Sequence, residues 1–168
     1  MSTIAMPEPD EAILSRKAQI VAALEAAIGK DDVISDPMET RAYECDALVA
    51  YRCPPLAAVL PRTTEGVAAV MKVCHKMGVP VVPRGAGTSL AGGALPTADS
   101  VILGTARLRD VLEVDYDNRF IRVQTGVTNL SVSGHVDSDG FFYAPDPSSQ
   151  LACAIAGNIA MNSGGAHC

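Results

Sequence analysis

The run Val81-Val82-Pro83-Arg84-Gly85-Ala86-Gly87-Thr88-Ser89-Leu90-Ala91-Gly92-Gly93 places four glycines within nine residues, directly after a short apolar stretch. Glycine loses more conformational freedom on folding than any other residue. Such a cluster is therefore expected where the backbone needs positive φ or must lie directly against a ligand. A phosphate suits it, because consecutive N–H groups turned inward form a concave anion site without any lysine, and the hydroxyls of Thr88 and Ser89 add donors. The alternative is an ordinary glycine-rich surface turn. A second unusual stretch lies near the other end. Pro145-Asp146-Pro147-Ser148-Ser149-Gln150 reads as a rigid polar turn, followed by Leu151 to Met161, dominated by small residues, and by Asn162-Ser163-Gly164-Gly165. The prolines set φ, while Ala152, Ala154, Ala156, Gly157 and Ala160 let a flat partner approach the backbone. Asn158 and Asn162, four apart, are expected on one face of a helix, where each both donates and accepts, as the edge of a heteroaromatic ring requires.

Other chemistries fail at the residue level. A Rossmann-type dinucleotide loop needs a third glycine where Leu90 stands. A nucleotide triphosphatase loop needs Gly-Lys-Ser/Thr, and no lysine lies between Lys76 and Cys168. His167 and Cys168 are adjacent and have no further ligand nearby in sequence, so no metal site is expected. The five cysteines, Cys45, Cys53, Cys74, Cys153 and Cys168, are odd in number and contain no C-x-x-C pair. A disulfide framework is not expected, and Cys74 and Cys153 read as small buried side chains. With 13 basic and 19 acidic residues the net charge is -6, which argues against nucleic acid as a partner. A polyanionic ligand must then be held by local backbone donors. The first residues lack a signal-peptide pattern, and no run approaches about 18 apolar residues, so a cytoplasmic protein without a transmembrane segment is expected.

The elements that must position these stretches follow from periodicity and punctuation. Residues 1 to 9 carry two prolines and few anchors, and are expected to be loose. From Asp10 to Ile28 the apolar positions Leu14, Ala18, Val21, Leu24 and Ile28 predict one amphipathic helix ending at Gly29. Asp31 to Tyr51 predicts mostly loop with a short helical turn. Leu56 to Leu60 predicts a strand, Thr63 or Thr64 caps a helix to Met77, Gly78 ends it, and Val79 to Val82 is a second strand, giving a right-handed crossover and a parallel pair. The glycine loop then leaves the carboxyl end of a strand, where open α/β sheets place ligands. Val101 to Leu103 reads as a third strand. Leu112 to Tyr116 and Arg119 to Gln124, around a two-residue Asp117-Asn118 turn, predict an antiparallel hairpin. Thr128 caps a helix to about Ser138, Gly140 ends it, and Phe141 to Tyr143 enters a strand.

Taken together, Pro83 to Gly93, Tyr143 to Gln150, Gly157-Asn158 and Asn162 to Cys168 resemble the FAD-binding domain of the vanillyl-alcohol oxidase and p-cresol methylhydroxylase (PCMH) flavoproteins. Within that family the pattern is most similar to the glycolate oxidase large-subunit type and the FAD-linked D-lactate and D-2-hydroxyacid dehydrogenases. The resemblance implies an α+β fold of two small lobes, a parallel βαβ unit and then an antiparallel sheet with flanking helices. Its expected divisions are an arm over 1–52, a first lobe over about 53–105, and an incomplete second lobe over about 106–168. It implies that Pro83, Arg84, Gly85, Ala86, Gly87, Thr88, Ser89 and Gly92 hold the FAD pyrophosphate. Pro145, Asp146, Pro147, Ser148, Ser149, Gly157, Asn158, Asn162, Gly164 and Gly165 line the adenosine and flavin portions. Relatives that bind FAD covalently carry a histidine where Thr88 stands, so non-covalent FAD is expected. One departure is Ala156 in Ala156-Gly157-Asn158, where the family usually has Gly-Gly-Asn. The resemblance further implies an N-terminal part of an enzyme that oxidises a small 2-hydroxy acid, with an electron acceptor or partner subunits, and with its catalytic groups elsewhere. The alternative is a truncated, catalytically incompetent FAD-binding or interaction module.

Overall fold

The computed structural model describes residues 6–167, so part of the expected loose start, and Cys168, lie outside the described residues. The predicted helix over 10–28 is two helices, α1 (Glu11–Leu14) and α2 (Lys17–Ile28). Local hydrogen bonding explains the break. The Ser15 hydroxyl and the Arg16 Nε–H both donate to the Ala12 carbonyl, 3.1 and 2.9 Å away, so side chains take an acceptor that a continuous helix would use. The buried stripe is centred on Ile13, Ile20 and Leu24, with Leu14, Val21 and Ile28 at its margins. It packs on α3 (Thr64–Met77), whose buried face carries Val70 and Cys74.

Helix α3 starts and stops where the sequence indicates. The Thr63 hydroxyl accepts from the Gly66 amide at 3.0 Å, and Gly78 ends the helix in the left-handed region at φ +67°. Replacing Thr63 with alanine orphans that amide. We expect a loss of about 1 kcal/mol in urea denaturation, restored by serine.

The four-stranded sheet contains β1 (Val33–Ile34), β2 (Ala57–Val59), β3 (Val81–Arg84) and β4 (Val101–Gly104) in the order β1-β2-β4-β3. The short edge strand β1, absent from the sequence reading, runs antiparallel to β2. The expected direct pairing of β2 with β3 does not occur. Strand β4 lies between them, parallel to both, with Ala58 opposite Ile102 and Val82 opposite Ile102 on its two sides. Burial explains the order: all four residues of β4 are buried, as a central strand requires, whereas β3 is only partly buried and contains Pro83, which lacks a ladder donor and suits an edge. The buried Asp32 carboxylate, paired with Arg62 at 3.1 Å and with Arg107, ties the start of β1 to the chain that follows β4.

A separate antiparallel pair follows, β5 (Val111–Asp115) and β6 (Phe120–Val123), with a register irregularity between Val111 and Glu113. Asp115 pairs with Phe120, so the connection spans residues 116–119 and not two residues. The Asp115 carboxylate accepts from the Asn118 amide at 2.8 Å, and Arg119 takes φ +56°. Helix α4 (Asn129–Val136) is capped by Thr128 and continues into a 3-10 turn over Asp137–Asp139 before Gly140. The strand expected over 141–143 does not form. Phe141 instead packs on Tyr116, with ring centroids 5.0 Å apart, and the Tyr143 amide donates to the Ser133 hydroxyl at 2.9 Å. Helix α5 (Ile155–Ala160) follows; a small core of Val127, Val132 and Ile155 joins these parts. Among the described residues no helix is long and apolar enough to cross a membrane.

Candidate functional site

The glycine loop leaves the carboxyl end of β3. Gly87 and Gly92 hold φ +72° and +74°, conformations that glycine adopts without strain. Among the described residues, the backbone N–H groups of Gly85, Ala86, Gly87, Thr88 and Ser89 donate to no protein acceptor. A row of unpaired amides beside a cavity costs free energy unless water or a ligand accepts from it, which makes the row a ready anion site.

A cleft of about 390 Å³ opens beside the loop. It is lined by Gly85 and Ala86 from the loop, by Thr105, Ala106 and Arg109, by Gly126 to Thr128, and by Ala152 and Ala154. The Thr105 hydroxyl in that lining is buried and has no hydrogen-bond partner among the described residues. Ala152 and Ala154 belong to the small-residue stretch that the sequence marks, whereas Thr105, Ala106, Arg109, Gly126 and Val127 escape a sequence reading because they form no motif of their own over some twenty positions. Thr128 carries a local signal there, and it points to a helix cap. Packing converges them: the Thr105 amide donates to the Arg84 carbonyl at 3.0 Å, the Gly126 amide to Leu108 at 2.8 Å, and the Ile155 amide to Val127 at 2.8 Å.

The two sequence stretches meet in space at one point. A Cβ on Gly85 would stand 3.2 Å from the Ala154 methyl and 4.0 Å from the Gly157 amide nitrogen. Gly157 itself has nothing within 4 Å of a notional Cβ, so a flat group has room against it. The Asn158 side chain is buried, and its Nδ2 has no partner among the described residues. Asn162 does not share its helical face. It lies beyond α5, exposed, at φ +52°, because the Ser163 amide turns back to the Asn158 carbonyl at 2.8 Å and closes the helix.

Pro145 to Ser149 and Asn162 to Gly165 do not line the cleft beside Gly85; they form an adjoining cluster. The Asp146 amide donates to Gly164 at 2.9 Å, and Asp146 bridges to Gly165, whose φ of +84° lets the chains lie together. The Asp146 carboxylate accepts from the His167 amide at 3.0 Å and also contacts the His167 ring. The His167 amide, and then its imidazole, hold the Asp146 carboxyl below the ordinary carboxylate range. Pro147 is buried, while its carbonyl accepts from Gln150 at 2.8 Å and keeps Ser148 exposed at the turn. No group of three or more potential metal ligands occurs among the described residues.

Arg84 presents a different geometry from that of an anion ligand. Its Nη1 donates to the Cys45 carbonyl at 2.7 Å, and its guanidinium carbon lies 5.8 Å from the Tyr43 ring centroid. Burial pushes the Tyr43 phenol above its ordinary value, and the Arg84 charge opposes that shift.

Residues 55–168 match the family described as FAD binding domain. The chain belongs to this FAD-binding family. It is 45% identical over 164 residues to glycolate oxidase subunit GlcD of Escherichia coli strain K12, covering 98% of this chain and 32% of that protein. The mitochondrial D-2-hydroxyglutarate dehydrogenase of Bos taurus is 34% identical over 145 residues, covering 86% of this chain and 26% of that protein. The FAD-binding chain thus spans about a third or less of the length of these relatives. Its fold superposes on alkyldihydroxyacetonephosphate synthase with a TM-score of 0.77 at 21% identity, covering 94% of this chain and 30% of that one. It superposes on p-cresol methylhydroxylase with a TM-score of 0.73, also at 21% identity, over 90% and 30% of the two chains. The expected α+β architecture of the PCMH type is therefore present, with its parallel and antiparallel sheets separate.

The residues present suit such a cofactor. A diphosphate needs several donors, which the five unpaired amides supply with the unpaired Thr105 hydroxyl nearby, and Gly85 and Gly87 add no side chain between backbone and ligand.

Proposed function

We propose that this chain is the N-terminal, cofactor-holding part of a flavin-dependent oxidoreductase that oxidises a small 2-hydroxy acid, of the glycolate or D-lactate kind, to the 2-oxo acid. The observation that carries the cofactor assignment is the row of unpaired amides from Gly85 to Ser89, whose first two residues line the cleft. The names of the relatives, glycolate oxidase subunit and D-lactate dehydrogenase among them, support the substrate class. The word subunit in the first supports partner subunits in the assembled enzyme.

On this reading the amides from Gly85 to Ser89 donate to the pyrophosphate, with Pro83 and Gly92 shaping the two ends of the loop. The Thr88 hydroxyl adds a donor and offers no nucleophile of the histidine kind, so FAD is held without a covalent bond. Pro145 to Ser149 support the adenosine portion, while Gly157, Asn158, Asn162, Gly164 and Gly165 keep the backbone close to flat ring surface. The buried, unpaired Nδ2 of Asn158 is a donor for a ring acceptor. The chemistry that bound FAD supplies is acceptance of the hydride released from the carbon bearing the hydroxyl. This chain's residues bind, orient and exclude water; no base for the hydroxyl proton is assigned among them.

Purification with added FAD tests the reading. A yellow protein absorbing at about 450 nm is expected, and a protein that retains no flavin refutes it. Mass spectrometry of the denatured yellow protein is expected to show the bare polypeptide mass, whereas a retained adduct of FAD mass overturns the non-covalent assignment. Bleaching by glycolate or D-lactate in the longer polypeptide tests the substrate class. Bound flavin that neither acid reduces there favours a binding module over an enzyme.

A further inference from the structure

The family match begins at residue 55, yet the glycine loop is braced by residues that precede it. Three points along the loop touch one segment, residues 43–48. At its start, the Arg84 guanidinium reaches back to the Cys45 carbonyl at 2.7 Å and faces the Tyr43 ring. In the middle, the Ala47 amide donates to the Ser89 carbonyl at 3.1 Å. Towards its end, Leu48 Cδ2 lies 3.8 Å from where a Cβ on Gly92 would stand. The guanidinium also fills the space that a Cβ on Gly87 would occupy, so it lies against the turn of the loop.

The bracing segment is itself held. The Cys53 amide donates to the Glu44 carbonyl at 2.8 Å, and the buried Glu44 carboxylate pairs with Arg52 at 2.9 Å and Arg41 at 3.6 Å. The Leu48 amide donates to the Asp46 carboxylate at 2.9 Å. The amides from Gly85 to Ser89 stay unpaired between the tied points.

We propose that Arg84 is a positioning residue and not an anion ligand: with Tyr43 and Ala47 it pins the glycine loop in its binding shape, so that cofactor affinity is set partly by the 43–48 segment. This rests on the flavin reading above. The physical basis is preorganisation. A free glycine-rich loop must lose a large conformational entropy when it closes on a ligand, and ties at Arg84, Ser89 and Gly92 remove much of that loss before binding.

The test uses Tyr43→Leu, Arg84→Met and the double variant, with FAD affinity read by flavin fluorescence. Arg84→Met is expected to weaken FAD about tenfold or more and Tyr43→Leu about fivefold. In the double variant, Tyr43→Leu adds no more than about twofold, since both act through one contact. If Arg84 held phosphate directly, Tyr43→Leu would leave affinity within about twofold and Arg84→Met would flatten its salt dependence; either result overturns the proposal.

Amide hydrogen exchange in the flavin-free chain provides a readout independent of the cofactor. Exchange at Ala47 is expected to rise about tenfold in Arg84→Met, while Thr105, whose amide bonds the Arg84 carbonyl, stays within about twofold and reports an intact fold. Should Thr105 also change, Tyr43→Leu carries the same measurement. Unchanged Ala47 exchange overturns the brace. Failure of the unmodified chain to bind FAD refutes the flavin reading instead, and the exchange data still decide the brace.

Discussion

Gly126→Ala is expected to cost about 3 kcal/mol or more of unfolding free energy, read as a lower urea midpoint at unchanged slope. A methyl group there would overlap the Thr105 carbonyl oxygen and stand 2.8 Å from that of Leu108. Both neighbours are backbone, so no side-chain rotation relieves the overlap. Nor is the turn free to shift. The Leu108 amide donates to Thr105 at 2.9 Å, the Thr105 amide donates to Arg84 at 3.0 Å, and the Gly126 amide itself donates to Leu108 at 2.8 Å. Making room therefore breaks at least one of these bonds and moves a wall of the cleft. Gly134→Ala is the control, because its added methyl meets nothing within 4 Å and it lies inside α4. Helix propensity predicts that this second variant gains about 0.5 to 1 kcal/mol. Equal midpoints for the two would refute the steric account.

Gly87→Val is expected to abolish flavin retention, a loss in affinity of about a hundredfold or more, equivalent to about 3 kcal/mol. Two effects act together. At φ +72° a β-branched residue is strongly disfavoured, and its Cβ would overlap the Arg84 guanidinium. The guanidinium is flexible, but withdrawing it gives up the bond to Cys45 and the stacking on Tyr43, so the loop loses its shape even where the clash is relieved. Cys74→Ala separates stability from binding. Cys74 is buried in the α2/α3 core, away from the cleft, and its loss is expected to lower stability by about 1 kcal/mol while leaving FAD affinity within about twofold. Flavin content that is the same in both variants would refute the assignment of the loop.

Features with local causes were legible in the sequence. Thr63 and Gly78 bound α3 because a hydroxyl cap and a left-handed glycine act on amides a few residues away. The alternation around residues 112–124 marked the hairpin for a similar reason. The glycine loop was placed after a strand by nothing more than apolar residues followed by glycines. Features decided by competition for hydrogen-bond partners, local or distant, were not legible. The helix over 10–28 breaks because the side chains of Ser15 and Arg16 bond locally to Ala12, and Arg16 is further held by the distant Met77 carbonyl at 3.2 Å. The Phe141 to Tyr143 run, β-prone by composition, forms no strand; Phe141 packs on Tyr116, and the Tyr143 amide donates to the Ser133 hydroxyl.

The sequence by itself determined the family, and with it the cofactor FAD, and it marked two stretches as candidates for holding that cofactor, one of glycines and hydroxyls and one of small residues and asparagines. Only the tertiary structure decided the arrangement. It put β4 between β2 and β3, because the four residues buried on both faces belong at the centre and the proline strand at the edge. It brought Gly85 against Ala154 and set Arg84 against Tyr43 and Cys45. Such contacts join residues tens of positions apart, and they are set by which surfaces must leave water together, a condition that no local spacing of residue types encodes.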